Sequence, residues 1–298
     1  MKKEKNTIYK FTPQQRIKFH YQQTKTYQEA KKIIERLYKQ TSRRPSIILI
    51  NVIQPLLWLI MFGALFQNAP IYLFEDYNLK YRTFLNPGIL IFTAFSSSIN
   101  AGLNIIFDRE FGFLNKILVS PISNKNSLVY SCIIHTWSIT MIQIVGIIIL
   151  TESQSNTQTI DINYTIYLIC SLVIASMIIV SISNISICNA FILPGHIEFI
   201  GLTTLFLNLP TLFTSTALAP LSFMPHWLQI ICCMNPLTYA IEIIRNISSN
   251  KPSIIDKTII NTGWLTINIT NSVILLFSIS LLSLIIAKRI IKYKYDKT

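Results

Sequence analysis

The sequence lacks charge. Asp, Glu, Lys and Arg make up 13% of its 298 residues, about half the roughly 25% of ordinary soluble domains. The charges present are segregated. Six stretches hold none: 45–74, 83–107, 126–151, 162–197, 199–241 and 258–287, the shortest 25 residues long. A bilayer core of about 30 Å is crossed by roughly 20 apolar residues of helix, so each stretch is long enough for a span. A soluble chain of this length reads as one or two domains and does not sort its charges this way. The residues therefore point to an all-α polytopic membrane protein.

Acidic residues are also scarce: 13 Asp and Glu stand against 26 Lys and Arg, a net charge of +13. Thirteen of the bases lie in residues 1–44 and five in 288–297. Counterion release would reward such clusters on a nucleic acid. In a membrane-spanning chain the positive-inside bias is the simpler cause, and no nucleic-acid partner is expected. The first 44 residues lack an apolar signal-peptide core, so a cleavable leader is not expected. The five cysteines, Cys132, Cys170, Cys188, Cys232 and Cys233, show no metal-ligand or redox spacing. Lys outnumbers Arg 18 to 8 and Ile is the commonest residue. That usage suits an AT-rich genome, organellar or bacterial.

What remains reads in order. Residues 1–25 form a basic tail. Residues 26–44 hold an amphipathic helix whose apolar side carries Tyr27, Ile33, Ile34, Leu37 and Tyr38, with Lys31, Lys32, Glu35, Arg36 and Lys39 between them. Such a helix lies in the membrane interface or packs on a soluble partner. The transmembrane region is 45–287, with spans at about 45–66, 84–107, 128–150, 164–191, 199–219 and 265–287. A basic tail, 288–298, follows. Pro45 opens the first span where its missing N–H costs nothing. Ser96 to Ser98, Ala101 and Gly102 give the second span a small-residue face for close packing. With both termini inside, inside segments hold 21 of the 26 bases and outside segments five. Residues 220–247 begin with an apolar stretch, 220–241, interrupted by Pro220, Pro225 and Pro236. They read as a re-entrant or surface-lying outer segment containing Pro225, Trp227, Asn235, Pro236, Tyr239, Glu242 and Arg245. The alternative is a true span over 226–247, which would place the basic C-terminal tail outside.

Several chemistries have no motif here. There is no GxxxxGK[ST] phosphate loop, no HExxH and no GxSxG. No Asp or Glu falls in mid-span, which disfavours a proton-driven carrier. The in-span His135 is a functional candidate or a neutral histidine bonded to a helix neighbour. No catalytic residue and no metal site are assigned, and no cofactor is expected on this chain. The informative loop is FDREFGFLNKILVSPISNKNSL, residues 107–128. Asp108, Arg109 and Glu110 end the second span. A short helix follows, apolar at Phe111, Phe113, Leu114, Ile117 and Leu118 and stopped by Pro121. It is either a lever between a soluble partner and the spans, or an ordinary solvated loop.

At this point the sequence resembles a known family. QPLLWLIMFGALF in the first span, FDREFGFLNKILVSPIS after the second and NLPTLFTSTALAPLSFMPHWLQIICCMNPLTYAIEIIR late in the chain look like the ABC-2 type transport permeases. The resemblance runs from about residue 25 to 290 and is strongest to cyanobacterial and plastid-encoded members. It implies a six-span subunit that dimerises with a second copy or a related permease. ATP and Mg²⁺ would be bound by a separate ATP-binding-cassette ATPase. It implies an interfacial helix at about Tyr27–Gln40, and an ATPase-coupling loop from Asp108 through Arg109, Glu110, Phe111, Gly112, Leu114 and Leu118 to Pro121. It also implies short outer helices at Ser222–Ile247, and a plastid envelope, thylakoid or bacterial inner membrane. The competing readings are a non-transport membrane scaffold, such as a cofactor-assembly factor, and a channel.

Overall fold

Long apolar helices form where the charges are missing. In a computed structural model, the described residues are 19–65, 81–114, 116, 126–153, 162–192, 206–248, 258–262 and 266–295. Helix α1 spans Phe19–Ser42 and α2 spans Pro45–Leu65. Helix α3, Tyr81–Ile99, passes through a 3₁₀ turn at Asn100–Gly102 into α4, Leu103–Glu110. Then come α5, Asn126–Ser153, and α6, Ile162–Ile192. After a short helix α7 at 206–213 follow α8, His226–Met234, and α9, Pro236–Ser248. Strands β1, Thr258–Asn261, and β2, Thr266–Asn268, pair antiparallel before α10, Ile269–Tyr295.

Four helices among the described residues are long and apolar enough to cross a membrane: Phe84–Glu110, Ser127–Thr151, Thr165–Ile192 and Ile269–Ile290. They fall on the second, third, fourth and sixth expected spans. The first expected span is helical from Pro45 to Leu65. The fifth, 199–219, lies partly outside the described residues; within them only 206–213 is helical, and the chain turns over 214–219. The last helix runs to Tyr295, eight residues into the expected C-terminal tail, and two helix starts move by four residues or more. Helix α1 begins at Phe19, seven residues before the expected start. The expected sixth span began at 265, but Thr266–Asn268 is strand and the helix starts at Ile269. The small β1–β2 ribbon departs from a purely α architecture. Thr258, Ile260, Thr266 and Ile267 are of the β-branched kind that fit such a pair.

The helix Phe84–Glu110 is the hub. Its apolar window is 83% buried, against 44%, 33% and 28% for the other three. Helices α2, α5, α6 and α9 all pack on α3. Small residues make this possible. A Cβ on Gly88 would sit 2.5 Å from the Ala217 carbonyl oxygen, and one on Gly102 equally close to that of Ser186. The 3₁₀ turn at Gly102 is held from outside: Ser186 Oγ on α6 accepts from the Gly102 N–H at 3.0 Å and donates to the Ile99 carbonyl at 2.5 Å. Buried hydroxyls elsewhere bond back to the preceding turn, as Thr93 does to Ile89 and Ser131 to Ser127. That satisfies them without water. Ser97 and Thr140 join α3 to α5 at 2.8 Å.

The tightness of the hub is testable. Gly88→Val places two methyls against backbone and should destabilise by about 3 kcal/mol, the upper part of the usual overpacking range. Gly146 on α5 has nothing among the described residues within 4 Å of an added Cβ. Gly146→Ala should be neutral or gain up to about 1 kcal/mol of helix propensity. Thermal melting of the detergent-purified variants, followed by size-exclusion fluorescence, separates the two.

Candidate functional site

Each end of the hub helix is pinned by an arginine. Phe84 and Asp108 are 24 residues apart, about 36 Å along a helix at 1.5 Å per residue. That is a little more than a bilayer hydrocarbon core, so the two pins are separated by about the depth of a membrane.

At the Asp108 end the pin is Arg36 of α1. Its Nη1 donates to Asp108 Oδ1 at 3.0 Å and its Nη2 to Oδ2, a bidentate pair. The guanidinium also lies 4.2 Å from the centre of the Phe113 ring. Asp108 is 7% exposed. Arg109 reaches across to α6 and donates to the Ala190 carbonyl at 3.1 Å. Glu110 is exposed and Phe111 is 72% exposed. The chain leaves α4 through Gly112, which has φ +69°. Its N–H bonds to the Arg109 carbonyl, and that of Phe111 to Phe107. A left-handed residue just past the end of a helix is a common glycine stop. Residues 113, 114 and 116 are helical again, with Leu114 buried. The expected loop residues Leu118 and Pro121 lie outside the described residues.

Helix α1 is fastened along α5. Leu37 is 1% exposed, Ile33 packs beside it, and Ile34 is half-buried. Tyr38 bonds to Ser138 through its hydroxyl and meets the His135 ring edge-on at 5.1 Å. Thr41 Oγ1 lies 2.9 Å from His135 Nε2, and Ser131 donates to the Ala30 carbonyl at 3.2 Å. The in-span histidine therefore has a partner, on another helix rather than its own. Tyr27 is 73% exposed. Of the five expected apolar residues, Leu37 is buried in protein and Tyr27 is not.

At the other end α8 and α9 meet at Asn235 with a bend of 88°. Nine and thirteen residues give about 14 and 20 Å of helix, so neither alone crosses the core. Pro236 starts α9 with an N–H it does not need. Asn235 Oδ1 accepts from the Leu237 N–H at 3.0 Å, and its Nδ2 donates to the Thr214 carbonyl at the same distance. Tyr239 donates to the Cys233 carbonyl at 2.5 Å. Arg245 has no exposed surface. It pairs with Glu242, donates to the carbonyls of Thr216 at 2.8 Å and Phe84 at 3.3 Å, and lies 3.6 Å above the Phe84 ring. Of the seven outer-segment residues singled out above, Asn235, Pro236, Tyr239, Glu242 and Arg245 gather here. Pro225 and Trp227 do not; both are exposed, Trp227 at 64%.

Sequence reading missed Arg36, placed only among the polar residues of a surface helix. It also missed Phe84 and Thr216. Arg36 and Asp108 are 72 residues apart and no short-range pattern joins them. The one available signal was an acid at the end of an apolar span, a charge that needs a counter-ion.

Removing one partner of a buried pair strands the other at about 3–5 kcal/mol, while replacing both with apolar groups is often neutral. Arg245→Met alone should sharply lower folded yield. Arg245→Met with Glu242→Leu should recover much of it, in the same detergent melting assay.

The family described as ABC-2 type transporter matches residues 28–248. A protein of Porphyra purpurea named "Putative transport permease ycf38" is 40% identical over 269 residues, 90% of each chain. Proteins of the same name from Pyropia yezoensis and Cyanophora paradoxa are 41% and 42% identical over 90% and 89% of each chain.

Proposed function

The chain belongs to the ABC-2 type transporter family, and on that premise we propose that it is the permease subunit of an ATP-driven exporter, worked by a separate ATPase. It is an integral membrane protein, and its relatives come from plastid-bearing organisms, which fits a plastid membrane. The observation that carries the proposal is the Asp108 end of the hub helix. There an exposed Glu110 and Phe111 stand on a glycine turn directly beneath the most buried helix.

That arrangement suits a lever. Arg36 and Arg109 tie the last turn of α4 to α1 and to α6. A push on Glu110, Phe111 and the loop beyond them therefore moves three helices together. Allosteric drive requires that the ATPase make different contacts with two states of the permease. The docking face is Glu110, Phe111 and the following loop, including Leu118 and Pro121. Arg109 is a positioning residue. ATP and Mg²⁺ are held by the ATPase. Six spans place both basic termini on the ATPase side, with α8 and α9 as a re-entrant pair on the opposite face. A second copy of the chain completes the path, and the exposed stripe Leu49, Ile53, Leu57 and Ile60 of α2 is available to lipid or to that copy. The cargo is a lipid, a polysaccharide or another hydrophobic compound.

Two measurements test this. Affinity purification of the full chain from its native membrane should bring down an ATP-binding-cassette subunit. Glu110→Arg with Phe111→Ser should leave the permease folded, and abolish the stimulation of ATP hydrolysis that it gives to the ATPase. Unchanged stimulation in that variant would refute the coupling assignment. A reconstituted pair that binds but shows no export would favour the scaffold reading.

A further inference from the structure

A cavity of about 240 Å³ lies between α1, α2, the α3–α4 junction and α5. It is smaller than the roughly 300–1,000 Å³ of sites that take a whole drug-sized molecule, so it has room for one headgroup. Its polar lining is dominated by amides: Gln40, Asn51, Asn100, Asn104 and Gln143. Three hydroxyls join them, on Thr41, Ser97 and Thr136, together with His135. Among the described residues no Asp or Glu lines it, and the one cation is Arg44. Arg44 is exposed and lies 5.1 Å above the Phe107 ring, at the mouth.

Two of these groups are unpaid in hydrogen bonds. Gln143 is 2% exposed, and among the described residues neither its Oε1 nor its Nε2 has a partner. His135 is 5% exposed; Thr41 takes its Nε2, and its Nδ1 has no partner among the described residues. Leaving such groups unsatisfied in an apolar bundle is costly, and Leu or Met would fill the Gln143 position without that cost. Stability alone therefore does not account for the amide. The lining supplies acceptors as well as donors. A phosphate only accepts, so the amide oxygens would face it unfavourably. A hydroxyl both donates and accepts, and an amide answers both roles.

We propose that this cavity binds a single uncharged, polyhydroxylated ring, a sugar or sugar-like headgroup, with Gln143 and His135 as its deepest contacts and Arg44 at its mouth. The ring comes from a membrane glycolipid or from a free sugar. Binding of this kind is independent of the ATPase coupling proposed above and can be read without any ATPase present.

The test uses the full chain, purified in a detergent without a sugar headgroup and placed in phosphatidylcholine nanodiscs. Monoglucosyl diacylglycerol, phosphatidylglycerol and methyl glucoside are titrated separately, read by native mass spectrometry and by melting temperature. The glucolipid should bind one per chain and raise the melting temperature, with phosphatidylglycerol at least tenfold weaker. Displacement by methyl glucoside would show that the free ring suffices, and its failure to displace would assign the lipid as the source; both support the polyol site. Gln143→Leu should weaken glucolipid binding at least tenfold while raising the melting temperature of the unliganded protein, a pairing that a purely structural glutamine would not produce. Ile139→Trp, which fills the cavity, should also abolish binding. Equal binding of phosphatidylglycerol, no binding of either glucoside, or wild-type affinity in the folded variants would overturn the proposal. Should both variants fail to fold, the wild-type preference between the two lipids decides it.

Discussion

The structure depends on one constraint: inside an apolar bundle no water is available to satisfy a polar group. The hub helix from Tyr81 to Glu110 obeys it at both ends. Phe84 supplies its carbonyl and ring to Arg245, and Asp108 supplies a carboxylate to Arg36. Ser186 holds the 3₁₀ turn at Gly102, and Thr140 holds Ser97. Such pinning at both ends fits the lever role proposed for this helix.

The two pins differ in kind. Arg245 is wholly enclosed and paired within its own helix, three residues from Glu242. It fastens the bent α8–α9 pair to the start of α3 and to the Thr216 turn. Arg36 is partly exposed and joins helices far apart in sequence. A buried, multiply bonded charge resists rearrangement, whereas a part-exposed pair can exchange with water. The end bearing Glu110 and Phe111 is thus the less enclosed one, which fits the docking role proposed for it.

Much of the fold was legible because charge segregation is a one-dimensional record of a slab-like solvent. Charge-free stretches located the four long apolar helices within a few residues. The prolines at 225 and 236 marked the starts of α8 and α9. The shift of α10 to Ile269 was not legible. Residues Thr266–Asn268 are uncharged, so charge segregation did not separate them from the span, and they are strand through pairing with Thr258–Asn261. In the candidate site, Asp108 to Gly112 were recognisable as a local motif, whereas Arg36 was not. Its partner is set by how α1 lies across the bundle.

The sequence by itself determined that this is a helical membrane protein, roughly where its helices run, and that it resembles the ABC-2 permeases. Those facts follow from residue-by-residue transfer between water and lipid and from local motifs. Only the tertiary structure decided which helix is central, which arginine meets Asp108, that His135 has its partner on α1, and that five amides surround one cavity. These depend on contacts between residues dozens of positions apart, and spacing along the chain carries no record of them.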